Sequence, residues 1–149
     1  MRHPAVILFA MLLPLGLAAC GEPEDTGPGR PVAHRREAFK SILRAFEPIG
    51  VSLRADKYAP DRIIAMAEQL NRVKDGPWGY FTPGSDYPPS RATAKVWSER
   101  EQFEAGRRAF SAATESLLAA AAARDEARVR AAYEVLEATC RDCHKVYKR

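Results

Sequence analysis

Runs of β-branched residues are missing from this chain, and without them no segment reads as a credible strand. Dense blocks of Lys and Arg interleaved with aromatic rings are missing as well. The formal net charge is only +4, and it falls by one if the N-terminal stretch carrying Arg2 is removed, so nucleic-acid binding has little support. No apolar stretch is long enough to cross a bilayer. The longest runs from Ala5 to Leu17, short of the roughly 20 residues that a spanning helix needs. Histidine and methionine are scarce, at three each. Beyond Cys20 only His34, His144 and Met66 remain, which leaves few side chains for a metal. What is present is a chain of 149 residues, enough for one domain with a real core.

Its first segment reads as an address rather than as part of that core. Arg2 and His3 precede the apolar run, which ends in Leu17-Ala18-Ala19-Cys20-Gly21. Small residues before a cysteine at the end of such a run resemble the lipobox of bacterial lipoproteins. The expectation is a signal peptide over 1–19 and a lipidated Cys20 as the new N-terminus. In the plainer alternative the signal is simply cleaved and Cys20 is incidental. Gly21 is not the Asp that retains such proteins at the inner membrane, so the expected location is periplasmic, anchored by lipid to the outer membrane. Gly, Pro, Glu, Asp and Thr dominate 20–30 and predict a flexible tether. The domain is then 31–149.

Apolar residues recur at helical spacing through that domain. A first helix from about Pro31 carries Phe39, Ile42, Leu43 and Phe46 on one stripe, and Pro48 and Gly50 are expected to kink or end it. A second begins near Pro60-Asp61, presents Ile63, Met66, Ala67, Leu70 and Val73, and stops at Asp75-Gly76-Pro77. A long loop with Trp78, Tyr80 and Phe81 is aromatic enough to fold back onto the helices. Ser98-Glu99-Arg100-Glu101 has the form of a capping box opening a third helix with Phe103, Gly106, Phe110, Ala113, Leu117 and Ala121 inside. The fourth starts near Asp125 and carries Val129, Ala132, Tyr133, Leu136 and Cys140. An all-α antiparallel four-helix bundle is the simplest way to bury these stripes.

Cys140-Arg141-Asp142-Cys143-His144 is a C-x-x-C-H sequence, the pattern of c-type haem attachment. Residues three and four apart share a helix face, so the two thiols and the imidazole project together. The thiols can take the two vinyl groups of one porphyrin while His144 reaches the iron. A zinc site would want a fourth ligand, and His34 is far away in sequence. A redox Cys-x-x-Cys belongs near a strand-to-helix turn, which this chain lacks. A structural disulfide leaves His144 unexplained.

The domain resembles cytochrome c′, the class II cytochromes whose bundle carries its attachment motif close to the C-terminus. Arg35-Arg36-Glu37-Ala38-Phe39 is similar to the family's Arg followed four residues later by an apolar group over the distal haem face. Phe81 to Ser85 and Trp97 to Phe103 resemble its loop and third-helix entry, and the terminal motif continues to an aromatic and a basic residue, here Tyr147 and Lys148. The resemblance implies one covalent haem c held by Cys140, Cys143 and His144. Phe39 stands where low-spin relatives use Met, which implies a five-coordinate, high-spin iron with His144 as its only protein ligand. It further implies that Arg35 pairs with a haem propionate and that Lys148 joins the cofactor-binding residues, and it allows a homodimer through the first two helices. His34 lies off the Phe39 stripe and reads as a surface residue. Lys145, Lys148 and Arg149 form a basic rim for an acidic redox partner or complement the helix dipole. The expected function is electron transfer in the bacterial envelope. The alternative is binding of nitric oxide or carbon monoxide at an open distal site. No enzymatic activity is expected, since the distal match offers no acid–base histidine.

Overall fold

In the computed structural model, which describes residues 23–149, four long helices form an antiparallel bundle. They are α1 (Pro31–Arg54), α2 (Pro60–Val73), α4 (Arg100–Ala122) and α5 (Glu126–Tyr147), with a single-turn helix α3 (Lys95–Ser98) before α4. No strand is present among the described residues. The signal peptide expected over 1–19 and the lipidation site Cys20 lie outside the described residues.

Each long helix contributes one buried stripe. Ile42, Ala45, Phe46, Ile49 and Leu53 of α1 meet Ile63, Ala67 and Leu70 of α2, Phe110, Ala113, Leu117 and Ala121 of α4, and Val129, Tyr133 and Leu136 of α5. Burying side chains of this size is worth about 1.5–3 kcal/mol each, and that drives the association. The seam between α1 and α5 is closed by Phe46 stacked on Tyr133, with ring centroids 4.6 Å apart and planes 5° from parallel. Arg130 adds a hydrogen bond from its Nη1 to the Leu53 carbonyl at 2.8 Å.

Three sequence expectations change here. α1 does not break at Pro48 and Gly50 but continues to Arg54. Proline removes one backbone donor, whereas continuing the helix buries Ile49 and Leu53, both almost wholly inaccessible. Gly50 remains necessary, because a β-carbon there would lie 2.1 Å from the Tyr133 hydroxyl oxygen. Leu43 is not on the inner stripe and is 49% exposed. Ser98 is not an N-cap: it closes α3, and α4 begins at Arg100 after Glu99, with no side-chain capping bond. Asp125, near which the last helix is expected to start, is its N-cap, its carboxylate accepting from the Arg128 amide at 3.0 Å.

The aromatic loop does fold back. Trp78–Tyr80 form a 3-10 turn, and Phe81, Trp78, Trp97 and Tyr147 pack around a second buried cluster of Ala92, Val96 and Phe103. The tether expected over 20–30 is not free along its whole length. Asp25 is buried and accepts hydrogen bonds from the Ala33 amide at 2.9 Å, the Gly27 amide at 3.0 Å and the Tyr87 hydroxyl at 2.9 Å. From Asp25 onward the segment is therefore strapped to the start of α1 and to the loop.

Candidate functional site

The last two turns of α5 carry the chemistry. Helical spacing puts Cys140, Cys143 and His144 on one side of that helix. Cys140 packs against the main core. Burial pushes its thiol above the ordinary range, and the neighbouring Cys143 and Glu137 act in the same direction against a hydrogen bond with Thr139. The Cys143 thiol is likewise pushed up, by burial and then by Asp142. Cys143 faces α4 at Gly106, where a β-carbon would stand 2.9 Å from Sγ. Beside it is a cavity of ≈ 200 Å³ lined by Gly106, Ala109, Thr139, Asp142, Cys143 and Tyr147. His144 is on the exposed side of the same face. Partial burial pushes its imidazole below the ordinary value, and the positive charges of Lys148 and Arg91 push it further. A neutral imidazole keeps the lone pair that a metal requires.

Facing this helix end is an aromatic wall. Phe39 of α1 meets Trp78 edge-on at 5.6 Å and Phe81 at 6.3 Å. Trp78 in turn meets Phe110 at 5.8 Å and Phe103 at 6.3 Å, and Phe103 meets Tyr147 at 5.2 Å. Phe39, Trp78 and Cys140 all pack against the main core cluster. The site therefore has an apolar set of rings drawn from α1, the loop and α4, and two thiols plus an imidazole on α5. These donors suit a flat apolar macrocycle attached through sulfur and ligated through nitrogen. Gly106, which carries no side chain, would leave room for such a group against α4. Among the described residues no three His, Cys, Asp or Glu side chains gather as a cage for a bare ion, which leaves the zinc alternative without its fourth ligand.

The remaining expected site residues divide. Arg35 is buried, and its terminal N–H groups are committed to the loop. Nη1 donates to the Tyr80 carbonyl and the Ser85 hydroxyl at 3.0 Å each, and Nη2 to the Ser85 carbonyl and the Ser90 hydroxyl at 2.9 Å each. Its Cζ lies 4.5 Å from the Phe81 ring centroid. All four terminal protons are used in these bonds, so Arg35 fastens the loop to α1. Lys148 ends α5 and forms a β-bridge with Ala92. Lys145 donates to Asp142 at 2.9 Å. Arg149 donates through Nη2 to the Ala92 and Asp86 carbonyls at 2.8 Å and 3.2 Å, so part of the expected basic rim ties the C-terminus to the loop. His34 is exposed and stacks on Tyr80 at 5.0 Å. Met66 is a half-buried neighbour of the core on α2.

Sequence reasoning passed over Gly106, which it counted only as one position of a stripe. A glycine inside a helix, one turn from Phe103 and one from Phe110, is itself a signal of close approach. Arg91, Ser85 and Ser90 carried no comparable signal, since their roles depend on how a long loop folds.

A bundle with Cys-x-x-Cys-His on its last helix and an aromatic wall opposite defines the bundle class of c-type haem proteins. Residues 30–148 match the family model described as Cytochrome C′, and the chain belongs to the cytochrome c′ family. It is 33% identical to cytochrome c′ of Alcaligenes xylosoxydans xylosoxydans over 86% of this chain and 96% of that protein. It is 24% identical to cytochrome c′ of Rhodospirillum rubrum, over 96% of this chain and 97% of the relative. Among solved structures, a reduced variant of cytochrome c′ from Alcaligenes xylosoxidans superposes with a TM-score of 0.78 at 28% identity, covering 85% of this chain and 99% of that one. A nitric oxide complex of another variant of that protein reaches 0.77, again at 28% identity, covering 85% of this chain and 98% of that one. A carbon monoxide-bound variant also reaches 0.77 at 28% identity, covering 85% of this chain and 99% of that one. Family membership makes this a protein of covalently bound haem c with its iron.

Proposed function

We propose that Cys140 and Cys143 hold one haem c, that His144 is its only protein axial ligand, and that the Phe39 side of the iron binds nitric oxide or carbon monoxide. In attachment each S–H adds across one vinyl group, sulfur to one carbon and hydrogen to the other, so no oxidant is consumed. The haem supplies a redox-active iron with a position for a small ligand. The chain supplies the rest: α5 orients the imidazole, Gly106 lets the macrocycle approach α4, and the phenyl and indole rings exclude water from the opposite face. The observation that carries the reading is Phe39 itself, held by Trp78 and Phe81. A phenyl ring cannot ligate iron, and His34 is exposed and stacked on Tyr80. The nitric oxide and carbon monoxide complexes of the solved relatives support the same reading.

Optical and EPR spectra of the purified holoprotein test the iron's coordination. A high-spin ferric signal is expected at neutral pH, and a low-spin one would overturn the distal assignment. Stopped-flow mixing of reduced protein with nitric oxide tests the function, and failure to bind submillimolar gas would remove it.

A second reading, electron transfer, has its own support in the charge around the proximal ligand. Lys148 and Arg91 act electrostatically on His144, so this side of the molecule is cationic and suits an acidic redox partner. Electron-transfer rates that fall steeply with salt would favour it. Export and lipidation at Cys20 give the periplasmic, outer-membrane-anchored location. Loss of the protein from the membrane fraction in Cys20→Ala is the corresponding observation. Leu43 and Val51, exposed on α1, support a homodimer through the first two helices, which light scattering would detect.

A further inference from the structure

Two tryptophans stand in the chain, and the protein satisfies only one of their ring N–H groups. Trp97 Nε1 donates to the Thr82 carbonyl at 3.0 Å. Trp78 Nε1 is buried and has no hydrogen-bond partner among the described residues. Its neighbours explain why. The indole is surrounded by the rings of Phe39, Phe81, Phe103 and Phe110, none of which offers a lone pair. A buried indole N–H ordinarily finds an acceptor; of the three buried side-chain polar atoms without a partner among the described residues, Tyr58 Oη, Asn71 Oδ1 and Trp78 Nε1, this is the one set among the rings that meet Phe39.

Trp78 is set edge-on to Phe39, the ring assigned above to the open face of the haem. We infer that the Trp78 N–H is the hydrogen-bond donor to a diatomic gas held on the Phe39 side, with the oxygen of the gas as acceptor. The inference rests on the gas-binding reading and deepens it. A haem propionate is the other oxygen acceptor the cofactor offers, and the surroundings argue against it. A carboxylate buried among four phenyl rings would need a counter-charge. The cation beside this cluster, Arg35, has already given its terminal N–H groups to the Tyr80, Ser85 and Ser90 acceptors. A neutral gas carries no such demand, and a single donor in an apolar pocket is what orients it.

The test is the infrared C–O stretch of the reduced holoprotein under carbon monoxide, in H₂O and in D₂O, for the natural protein and for Trp78→Phe, which keeps an aromatic ring. The expected result is a band that shifts on deuteration in the natural protein. In the variant it moves to higher wavenumber, loses its isotope response, and carbon monoxide leaves about 2- to 10-fold faster, the range that one ordinary hydrogen bond spans. A band with no isotope response in the natural protein overturns the inference without any variant, while the gas-binding reading stands. An indole N–H resonance that is hydrogen-bonded before gas is added and unmoved afterwards assigns the donor to a propionate and overturns it equally. If neither protein takes up carbon monoxide, the gas reading and this inference fall together.

Discussion

Gly106 and Cys143 sit so close that one methyl group decides their relation. A β-carbon at 106 would approach Sγ to 2.9 Å, so the thiol or the helix would have to shift. Gly106→Val is expected to lower the fraction of chain carrying covalent haem several-fold while leaving the helix content unchanged. Haem staining of denaturing gels, compared with circular dichroism, reads both. Undiminished staining would show that α4 tolerates a side chain there. At this scale the Cys140, Cys143 and His144 motif can be picked out directly, because chemistry and spacing both reside in one short segment. Arg35 was only half legible. Its presence was noted, but its partners are Tyr80, Ser85 and Ser90, which only a folded loop brings within reach.

Among the elements, α1 departs most from expectation. It holds Pro48 in its interior, where a missing donor and ring crowding cost about 3 kcal/mol relative to alanine in an ordinary helix. Pro48→Ala is expected to stabilise the holoprotein by about 1–3 kcal/mol in denaturant unfolding, and a loss of stability would mean that the proline shapes the seam with α5. The strap before α1 makes a different prediction. Burial raises the Asp25 carboxyl, but the hydrogen bonds from Ala33, Gly27 and Tyr87 outweigh it and hold the pKa below the ordinary value. A carboxyl lowered on folding stabilises the fold above its unfolded pKa, and that contribution disappears as pH falls through the lower folded value. Asp25→Asn is expected to reduce stability at neutral pH and to flatten the acid limb of a stability–pH profile. Boundaries such as Pro60, Val73 and Asp125 were readable because proline, glycine and capping aspartate act locally. The strap was not, since Gly- and Pro-rich composition looks the same whether or not a carboxylate is buried within it.

For the molecule as a whole, haem attachment and folding are coupled. The aromatic wall and the α5 face are apolar surfaces whose natural partner is the porphyrin, and a group bound only in the folded state shifts the folding equilibrium in its favour. Cys140→Ala/Cys143→Ala, produced without haem, is expected to unfold at a clearly lower Tm than the holoprotein, with a broader transition. Equal Tm values would mean that the bundle core of Ile49, Ile63, Leu117 and Leu136 suffices alone. The class of fold could be read in advance because all four long stripes repeat at helical spacing. The arrangement of the loop over the bundle end could not, because it depends on contacts between Arg35, Asp25 and the C-terminal residues across the whole length of the chain.

The strap at Asp25 has one more consequence. If Cys20 carries the proposed lipid, about five residues, or roughly 17 Å fully stretched, would separate it from Asp25. So short a distance would confine the domain to a thin layer above the lipid and limit its tumbling. Its search for other molecules would then be a two-dimensional one, and only those displayed at the same height could meet it.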